Sequence, residues 1–331
     1  MDAFKLMKEL RVNREQEAQY LPKETGLSFI ESTVQGDSRI SAKARDAKVE
    51  DLWSLTSFFG YTTQTFVLAV NLLDRFLALM RIQPKHLSCV SLSCLSMAAK
   101  VTEEACNLTS TDELIRIGQC RFTVSDLERM EKIVAEKLNF KSKAITALTF
   151  LHLCHRIARS HSTDRKEALK LEKLEAQLKA CLCRISFSKA KPSVLALSLL
   201  MQEAEAVQSD DMLEVAYRIQ THLKIADGEL LQWSKCVALC LSDYASPECS
   251  KPNHRKLQWI VSRRTAQSLH SARSVPELPT IPEGCWDESE SEDSCEDVMS
   301  SGEESLSSSL GSDAEGPFFP LHLRRQKHVH A

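Results

Sequence analysis

Apolar side chains recur at the spacing of an amphipathic helix along most of this chain. Between residues 63 and 80, for example, Phe66, Val70, Leu73 and Leu77 follow the i, i+3, i+4 pattern that places them on one face. Residues 23–42 are rich in Gly, Ser and Thr, so we expect a loop or linker there. The periodicity predicts eleven helices, over residues 2–19, 43–59, 63–80, 86–101, 109–117, 124–138, 144–160, 164–187, 191–207, 210–223 and 227–244. Ser125 is expected to cap the helix over residues 124–138.

Two of these segments are apolar on nearly every side. One covers residues 86–101 and follows Pro84, and the other covers residues 193–201 and follows Pro192. A helix that is hydrophobic all round lies at the centre of a domain, and each of these is the third in a series of five. The chain is therefore predicted to be all-α, with tandem five-helix domains between an N-terminal helix and a disordered acidic C-terminal tail. The predicted boundaries are 1–40 for the N-terminal helix and linker, 41–141 and 142–246 for the two five-helix domains, 247–274 for a connecting segment and 275–331 for the Ser-rich acidic tail.

The charge of the chain is distributed unevenly. The net charge is −3, but residues 283–316 hold twelve acidic residues, ten serines and no basic residue. Residues 1–282 carry a net charge of +6. The acidic segment has too little apolar content to offset the entropy of ordering it, which predicts disorder. The basic residues of the body form no dense run and are not interleaved with aromatic residues, so no nucleic acid partner is expected.

Composition and motifs exclude several classes of function. Only 9 glycines occur, and no nucleotide-binding loop, nucleophile motif or kinase signature is present, so no catalytic residue and no cofactor are expected. Several of the 12 cysteines lie in apolar helical segments, and His152-Leu-Cys-His155 lacks the spacing of a zinc site, so no metal is predicted. No apolar run is long enough to cross a membrane and the N-terminus does not resemble a signal peptide, so no membrane partner and a cytoplasmic and nuclear location are expected.

Four charged residues stand out from the apolar helices that carry them. Asp74 lies between apolar positions one turn before and after it, so its carboxylate needs a cation or several donors, and Arg45 on the preceding helix is the candidate. Lys100 ends the apolar central helix, where the helix dipole favours a cation. Glu131 lies on the fifth helix. On residue type alone, Lys100 and Glu131 are equally well interpreted as solvated surface charges.

Four short segments between residues 40 and 140 form a recognisable series. They are Arg45 at the start of the first helix, Leu68-Ala-Val-Asn-Leu-Leu-Asp-Arg-Phe-Leu77, Ala98-Ala-Lys100 with Glu103 and Glu104, and Arg129-Met-Glu131. In order and spacing these segments resemble the cyclin box, and the segment 174–197 is similar to the G-type cyclins in particular, in the form with a long acidic tail.

The resemblance implies a regulatory protein that binds a cyclin-dependent-type kinase. Cyclins bind the small lobe of the kinase and hold its helix C inward, which completes the Lys–Glu pair that orients ATP. It implies that Lys100 and Glu131 face the kinase, and that Arg45 and Asp74 form a structural ion pair inside the box.

The chain departs from mitotic and S-phase cyclins at one surface of the first helix of the box. Those cyclins dock substrates on an apolar patch, and the matching positions here are Ala44, Lys48 and Asp51. Two charged residues cannot form an apolar pocket, so substrate docking of that kind is not expected.

The tail contains short sequences that predict further partners. Leu278, Ile281 and Glu283 match L-x-x-I-x-E, the motif that docks on B56 (B′) regulatory subunits of protein phosphatase 2A, although such a match also arises by chance. Serines followed by an acidic residue three positions later fit an acidophilic kinase, and residues 301–305 resemble a phosphodegron imperfectly; an unmodified solvated tail is the alternative. The candidate phosphosites are Ser289, Ser294, Ser300, Ser301, Ser305 and Ser312.

These observations support one main hypothesis and two alternatives. The main hypothesis is a non-catalytic regulatory cyclin that binds a kinase, recruits protein phosphatase 2A and restrains cell-cycle progression. The first alternative is a phosphatase-targeting scaffold that activates no kinase. The second, a nucleic-acid-binding protein of cyclin fold, is disfavoured by the acidic tail and by the lack of a basic patch.

Overall fold

Twelve α-helices make up the part of the chain that the computed structural model describes, which is residues 3–33, 39–161, 170–247, 249 and 324–325. Contacts divide the chain into two units, 1–264 with 323–331, and 265–322; every described element belongs to the first. The helices are α1 (Ala3–Gln16), α2 (Glu24–Glu31), α3 (Ala42–Phe59), α4 (Thr63–Leu79), α5 (Leu87–Thr102), α6 (Thr111–Ile117), α7 (Val124–Lys137), α8 (Ala147–His161), α9 (Leu171–Leu182), α10 (Pro192–Ala206), α11 (Asp210–Leu223) and α12 (Asp227–Ala245).

The other described elements are short 3₁₀ turns and one pair of two-residue β-strands. The turns cover Glu17–Tyr20, Pro84–His86, Ala105–Asn107 and Ile185–Lys189. Strand β1 (Met80–Arg81) follows α4 directly and pairs antiparallel with β2 (Arg324–Arg325). The ladder has two residues a side, so the all-α class predicted from the sequence is confirmed.

Helices α3 to α7 form a first bundle around α5. Twelve of the sixteen residues of α5 are buried, and the helix packs against α3, α4, α6 and α7. Pro84 opens the 3₁₀ turn that leads into it. Ser41 caps α3 by accepting a hydrogen bond from the backbone N–H of Ala44, and Gly60 ends that helix with a positive φ of 70°. The near-continuous apolar sequence therefore places α5 at the centre, as its pattern predicted.

Helices α8 to α12 form a second bundle around α10. Pro192 occupies the first turn of α10, where its missing N–H costs nothing. Like α5, α10 is buried on almost all sides, and it packs against α8, α9, α11 and α12. The predicted segment 164–187 is shorter as a helix: α9 covers Leu171–Leu182, a 3₁₀ turn follows, and residues 162–169 lie outside the described part.

The N-terminal helix packs on the second bundle, against α8 and α11. Glu17, which is 1% exposed, accepts hydrogen bonds from the backbone N–H (2.8 Å) and hydroxyl (3.0 Å) of Ser193 at the start of α10, and pairs with Arg14. A carboxylate at this position satisfies donors that the first turn of a helix leaves unpaired. Glu17 therefore anchors the N-terminal segment to the central helix of the second bundle.

Two local predictions are wrong. Residues 23–42 were expected to be a loop, but α2 forms at Glu24–Glu31 and packs against α4. Ser125 was expected to cap α7, but the cap is Thr123, which shares a reciprocal capping box with Asp126. None of the helices in the described ranges combines the length and apolarity needed to span a membrane.

Candidate functional site

Lys100 and Glu131 meet at the surface of the first bundle. Lys100 is in the last turn of α5, and its Nζ donates to both carboxylate oxygens of Glu131 on α7, at 2.7 and 2.9 Å. The lysine side chain is 50% exposed and the glutamate side chain 15% exposed. Packing of α5 on α7 brings the two residues together, although 31 positions separate them in sequence. The structure thus joins the two residues that were predicted to face a kinase into one exposed ion pair.

The end of α7 adds an exposed aromatic side chain that sequence reasoning missed. Asn139 and Phe140 both have positive φ, and the N–H of Phe140 donates to the carbonyl of Ala135 at 2.7 Å, which ends the helix in a left-handed turn. Phe140 is 74% exposed. Ala135 lies one turn after Glu131 on α7, so it shares a face with it. Asn directly after an amphipathic segment was the signal for this helix end, and it leaves a large aromatic residue in solvent.

Arg45 and Asp74 form a fully buried, bidentate ion pair between α3 and α4. Nε of Arg45 donates to one oxygen of Asp74 at 2.8 Å and Nη2 donates to the other at 2.6 Å. Arg45 is 0% exposed and Asp74 is 3% exposed. Burial by itself lowers the pKa of Arg45, but the charges and hydrogen bonds of Asp74 and Asp46 together outweigh it and raise the pKa above its usual value. The guanidinium therefore stays charged in the core, where it holds the two helices together.

The remaining donors of Arg45 reach the second bundle. Nη1 donates to the backbone carbonyl of Leu182 at 2.9 Å and to Asp46 at 3.1 Å, and Nη2 lies 3.3 Å from the hydroxyl of Ser188. Ser188 in turn donates to Asp74 at 2.6 Å. We call these five residues the Arg45 network. The pair predicted to act inside one domain also connects it with the segment that follows α9.

Asp46, whose side chain is 19% exposed, strengthens the same connection. Its carboxylate accepts from Arg45 and from the backbone N–H of Ile185 at 2.9 Å. Burial raises the pKa of Asp46, while Arg45 and Ile185 act in the opposite direction. Nearby, Arg184 donates to Glu50 at 2.6 Å. Three contacts between α3 and the segment after α9 therefore involve charged groups.

The surface of α3 that corresponds to a substrate-docking patch is polar. Lys48 donates to Asp51 at 2.7 Å, and the two side chains are 30% and 61% exposed. Ala44 is the only uncharged side chain among the three matching positions, and it is half-buried. An ion pair therefore occupies the place where an apolar pocket would have to form.

The histidines of the segment His152–His155 and the buried Cys89 are engaged in structure. Nε2 of His152 lies 2.7 Å from Glu175, which also accepts from Thr63 at 2.6 Å, and His155 is buried. Burial raises the pKa of the Cys89 thiol to about 11, so it is protonated and a poor nucleophile at neutral pH. Among the described residues, no three His, Cys, Asp or Glu side chains are grouped so that they can hold a metal ion.

The tail motifs lie outside the described residues. This applies to the predicted phosphatase-docking residues Leu278, Ile281 and Glu283, and to every candidate phosphosite from Ser289 to Ser312. They stay predictions from the sequence.

Comparisons with known proteins identify the fold family to which this architecture belongs. The family "Cyclin, N-terminal domain" matches residues 8–143, which include part of α1 and all of α2 to α7. A viral cyclin from herpesvirus saimiri has a similar structure, with a TM-score of 0.53 and 18% identity, over 72% of this chain and 99% of that one. Two bundles of five helices around buried central helices thus define a protein of the cyclin-box fold.

Two relatives narrow the class further. The chain is 58% identical to human Cyclin-G2 over 320 residues, which is 96% of this chain and 93% of the relative. It is 53% identical to mouse Cyclin-G1 over 286 residues, 85% of this chain and 97% of that one. The chain belongs to the cyclin family and, within it, to the G-type cyclins. Its role is that of a cyclin regulatory protein, and the two bundles are its first and second cyclin boxes.

Proposed function

We propose that this G-type cyclin is a non-catalytic subunit that binds a cyclin-dependent-type kinase through the exposed surface around Lys100 and Glu131. The supporting observation is their ion pair, in which half of the lysine side chain stays in solvent at the junction of α5 and α7. Phe140, which follows the end of the same helix α7, is 74% exposed and adds apolar area to the surface of the first box. A surface that carries both an exposed aromatic residue and a polar pair suits a protein interface.

The pairing of Lys100 with Glu131 makes a charge exchange the sharpest test. The double variant Lys100→Glu with Glu131→Lys keeps an ion pair of the same span, so the fold should be unchanged. The charges presented to a kinase are reversed, and like charges then meet across the interface. We expect co-purification of the kinase with the full chain to fall by about tenfold or more.

A second exchange provides the matched control. Arg218 and Glu214 form an exposed pair on α11 at 2.5 Å, so Arg218→Glu with Glu214→Arg swaps charges elsewhere on the surface. This variant should recover the kinase as the wild type does. Equal kinase recovery by both double variants would contradict the proposed surface. If the wild type itself recovers no kinase, the protein acts as a phosphatase-targeting scaffold instead.

We also propose that the tail recruits a B56 regulatory subunit of protein phosphatase 2A through Leu278, Ile281 and Glu283. Pro276, and the prolines inside the motif, restrict the backbone to extended conformations, which reduces the entropy lost on binding. The acidic residues that follow add attraction to a basic groove. Phosphorylation by an acidophilic kinase would add about −1.5 to −2 charges at each serine and strengthen that attraction.

Calorimetry with a synthetic peptide of residues 274–293 and a purified B56 subunit tests this docking. Replacing Leu278 and Ile281 by Ala removes two apolar anchors, each worth roughly 1.5–3 kcal/mol when buried, so binding should disappear. Absence of heat with the unaltered peptide at high micromolar concentration would remove the phosphatase from the proposed partners.

The combined activities suggest a protein that restrains cell-cycle progression in the cytoplasm and nucleus. The ion pair of Lys48 and Asp51 supports this direction, because it occupies the position where cyclins that drive the cycle dock their substrates. The same observation favours the scaffold as the second candidate. Cell-cycle distribution after expression of the wild type and of the two charge-exchange variants distinguishes them, since only a kinase-dependent effect should be lost with Lys100→Glu and Glu131→Lys.

A further inference from the structure

Two cysteines from different helices meet in the second cyclin box. Cys181 lies in the last turn of α9 and is 0% exposed, and Cys240 lies in α12 and is partly exposed. The thiol of Cys181 donates a hydrogen bond to the sulfur of Cys240, and that sulfur lies 4.0 Å from the carbonyl oxygen of Ala180. Packing of α9 against α12 therefore brings together two thiols that are far apart in sequence.

The surroundings of the two thiols give them different reactivity. A hydrogen bond from Cys181 lowers the pKa of Cys240, while burial raises it. The charge of Arg184 also lowers this pKa, against the charges of Asp243 and Asp46, and the pKa of Cys240 ends below its usual value. The same hydrogen bond and burial raise the pKa of Cys181 well above its usual value. Cys240 is thus the first of the two to form a thiolate, which is the nucleophilic form of cysteine.

Cys240 also lies where a small oxidant can reach it. Its neighbour Leu239 is 67% exposed, and Asp243, one turn later on α12, is exposed as well. Other cysteines lack this combination. Cys94 and Cys154 are 0% exposed, and burial raises the pKa of each. An accessible thiol with a second thiol in contact is the arrangement in which oxidation can end in a disulfide.

We propose that Cys240 and Cys181 form a peroxide-responsive dithiol, in which oxidation closes a disulfide between α12 and α9. The thiolate of Cys240 attacks one oxygen of hydrogen peroxide, the O–O bond breaks, and Cys240 becomes a sulfenic acid while the released hydroxide takes up a proton as water. The thiol of Cys181 then loses its proton, and its sulfur displaces the hydroxyl group of Cys240 as a second water. In total, two thiols lose two electrons and two protons, and one peroxide is reduced to two waters.

The disulfide fixes α12 to the segment that contacts the first box. Leu182, the residue after Cys181, accepts from Arg45 at 2.9 Å through its carbonyl, and Ile185 donates its N–H to Asp46 at 2.9 Å. Disulfides in a reducing compartment are usually transient and redox-sensing, so the bond would form under oxidation and be reversed by cellular thiols. Oxidation should therefore stabilise the second box close to the groups that bind the Arg45 network.

Mass spectrometry of the full chain identifies the bond directly. The protein is treated with a slight excess of hydrogen peroxide, free thiols are blocked with iodoacetamide, and the chain is digested with trypsin without reductant. Cleavage after Lys and Arg releases residues 180–184, which contain Cys181, and residues 236–255, which contain Cys240. We expect these two peptides as one disulfide-linked species after peroxide, and as separate peptides after dithiothreitol.

Single substitutions assign the bond within these peptides. Cys183 lies in the first peptide, and Cys236 and Cys249 lie in the second. Cys240→Ser and Cys181→Ala should each abolish the linked species. Cys236→Ser is the matched control, because it lies one turn earlier on α12 and is also partly exposed, and it should leave the linked species unchanged. Cys183→Ser should leave it unchanged too.

Thermal unfolding measures what the bond does to the fold. A disulfide stabilises mainly by restricting the unfolded chain, so peroxide should raise the melting temperature of the wild type by roughly 4 °C or more, and dithiothreitol should reverse the increase. The same treatment should not stabilise Cys240→Ser, whereas Cys236→Ser should show the full increase. Equal melting temperatures under reducing conditions check that both variants fold.

Several results would overturn the proposal. One is the absence of the linked species at a peroxide concentration that oxidises the exposed Cys106. Another is a linked species that persists in Cys240→Ser, which would place the bond at a different pair. Addition of one glutathione to Cys240 without any link to Cys181, when glutathione is present during oxidation, would make the site one for a mixed disulfide instead.

Discussion

Removing Asp74 tests whether the Arg45 network stabilises the fold as its geometry indicates. The variant Asp74→Ala leaves the buried guanidinium of Arg45 without two of its charge-assisted hydrogen bonds, at 2.8 and 2.6 Å, and deprives Ser188 of its acceptor. Breaking a buried pair by removing one partner costs roughly 3–5 kcal/mol, because an uncompensated charge remains in the core. Asp46, at 3.1 Å from Nη1, still compensates part of that charge, so we expect a loss near the lower end of that range.

The structure also predicts an order among related variants. Asp74→Asn keeps the shape and one acceptor, so it should destabilise less than Asp74→Ala. Asp46→Asn should cost less again, about 1 kcal/mol, because the amide oxygen of the new side chain can still accept from the backbone N–H of Ile185. Asp51→Asn breaks only an exposed ion pair and should change the free energy of unfolding by about 0.5 kcal/mol or less.

Urea denaturation of the full chain, followed by circular dichroism, measures these differences. The double variant Arg45→Met with Asp74→Ala completes a cycle, and it should be more stable than the sum of the two single losses predicts, because no charge is left unpaired. Additive effects near zero for Arg45→Met and Asp74→Ala would show that the two side chains do not form a buried pair. Such a result would refute the structural role assigned to them.

Two other predictions concern helix ends and helix packing. Thr123→Ala should lower the free energy of unfolding by about 1 kcal/mol, because it removes the cap of α7. Hydrogen bonds from the backbone and side chain of Thr123 hold the pKa of Asp126 below its usual value, so the same variant should raise that pKa. A carboxyl titration followed by NMR measures this change. A carboxyl group whose pKa is lower in the folded state than in the unfolded state stabilises the fold at pH values above its unfolded pKa. The contribution of Asp126 should therefore vanish as the pH falls through the pKa that it has in the folded state. An unchanged pKa of Asp126 in Thr123→Ala would contradict this account. Gly26→Ala should lower the melting temperature clearly, because a Cβ there would lie 2.1 Å from the carbonyl oxygen of Ala78 in α4, whereas Gly228→Ala meets nothing within 4 Å and should be neutral or slightly stabilising.

The helix α2 shows why one part of the fold could not be predicted from local sequence. Gly, Ser and Thr in residues 23–42 are typical of loops, and Gly26 was interpreted in that way. In the structure this glycine is buried in a helix and allows close approach to the backbone of α4. Contact with a distant helix selects Gly here, and no periodicity within the segment reports it. The long apolar helices α4, α5 and α10 were predictable because burial on many sides is visible in their own sequences.

The candidate site was predictable in its residues but not in its contacts. The apolar neighbours of Asp74 indicated that it needs a cation, and Arg45 was identified as the candidate. The carbonyl of Leu182 could not be identified in this way, because a backbone acceptor 137 residues away leaves no trace in residue type. The same holds for Lys100 and Glu131, whose pairing depends on how α5 packs against α7. The exposure of Phe140 was missed because it depends on the left-handed turn that ends α7. Residue type alone does not distinguish an exposed phenylalanine from one in the core.

The Arg45 network links the two cyclin boxes of this chain through hydrogen bonds to buried charged groups. Within the first box alone, Nη1 of Arg45 would lack the carbonyl of Leu182, and Asp46 would lack the N–H of Ile185. Buried charged groups without partners are costly, so the second box completes the hydrogen bonding of the first. The contacting residues lie in the segment 174–197, where the resemblance to G-type cyclins in particular was found. The segment that distinguishes this type of cyclin therefore also supplies the groups that fix the second box to the buried ion pair of the first.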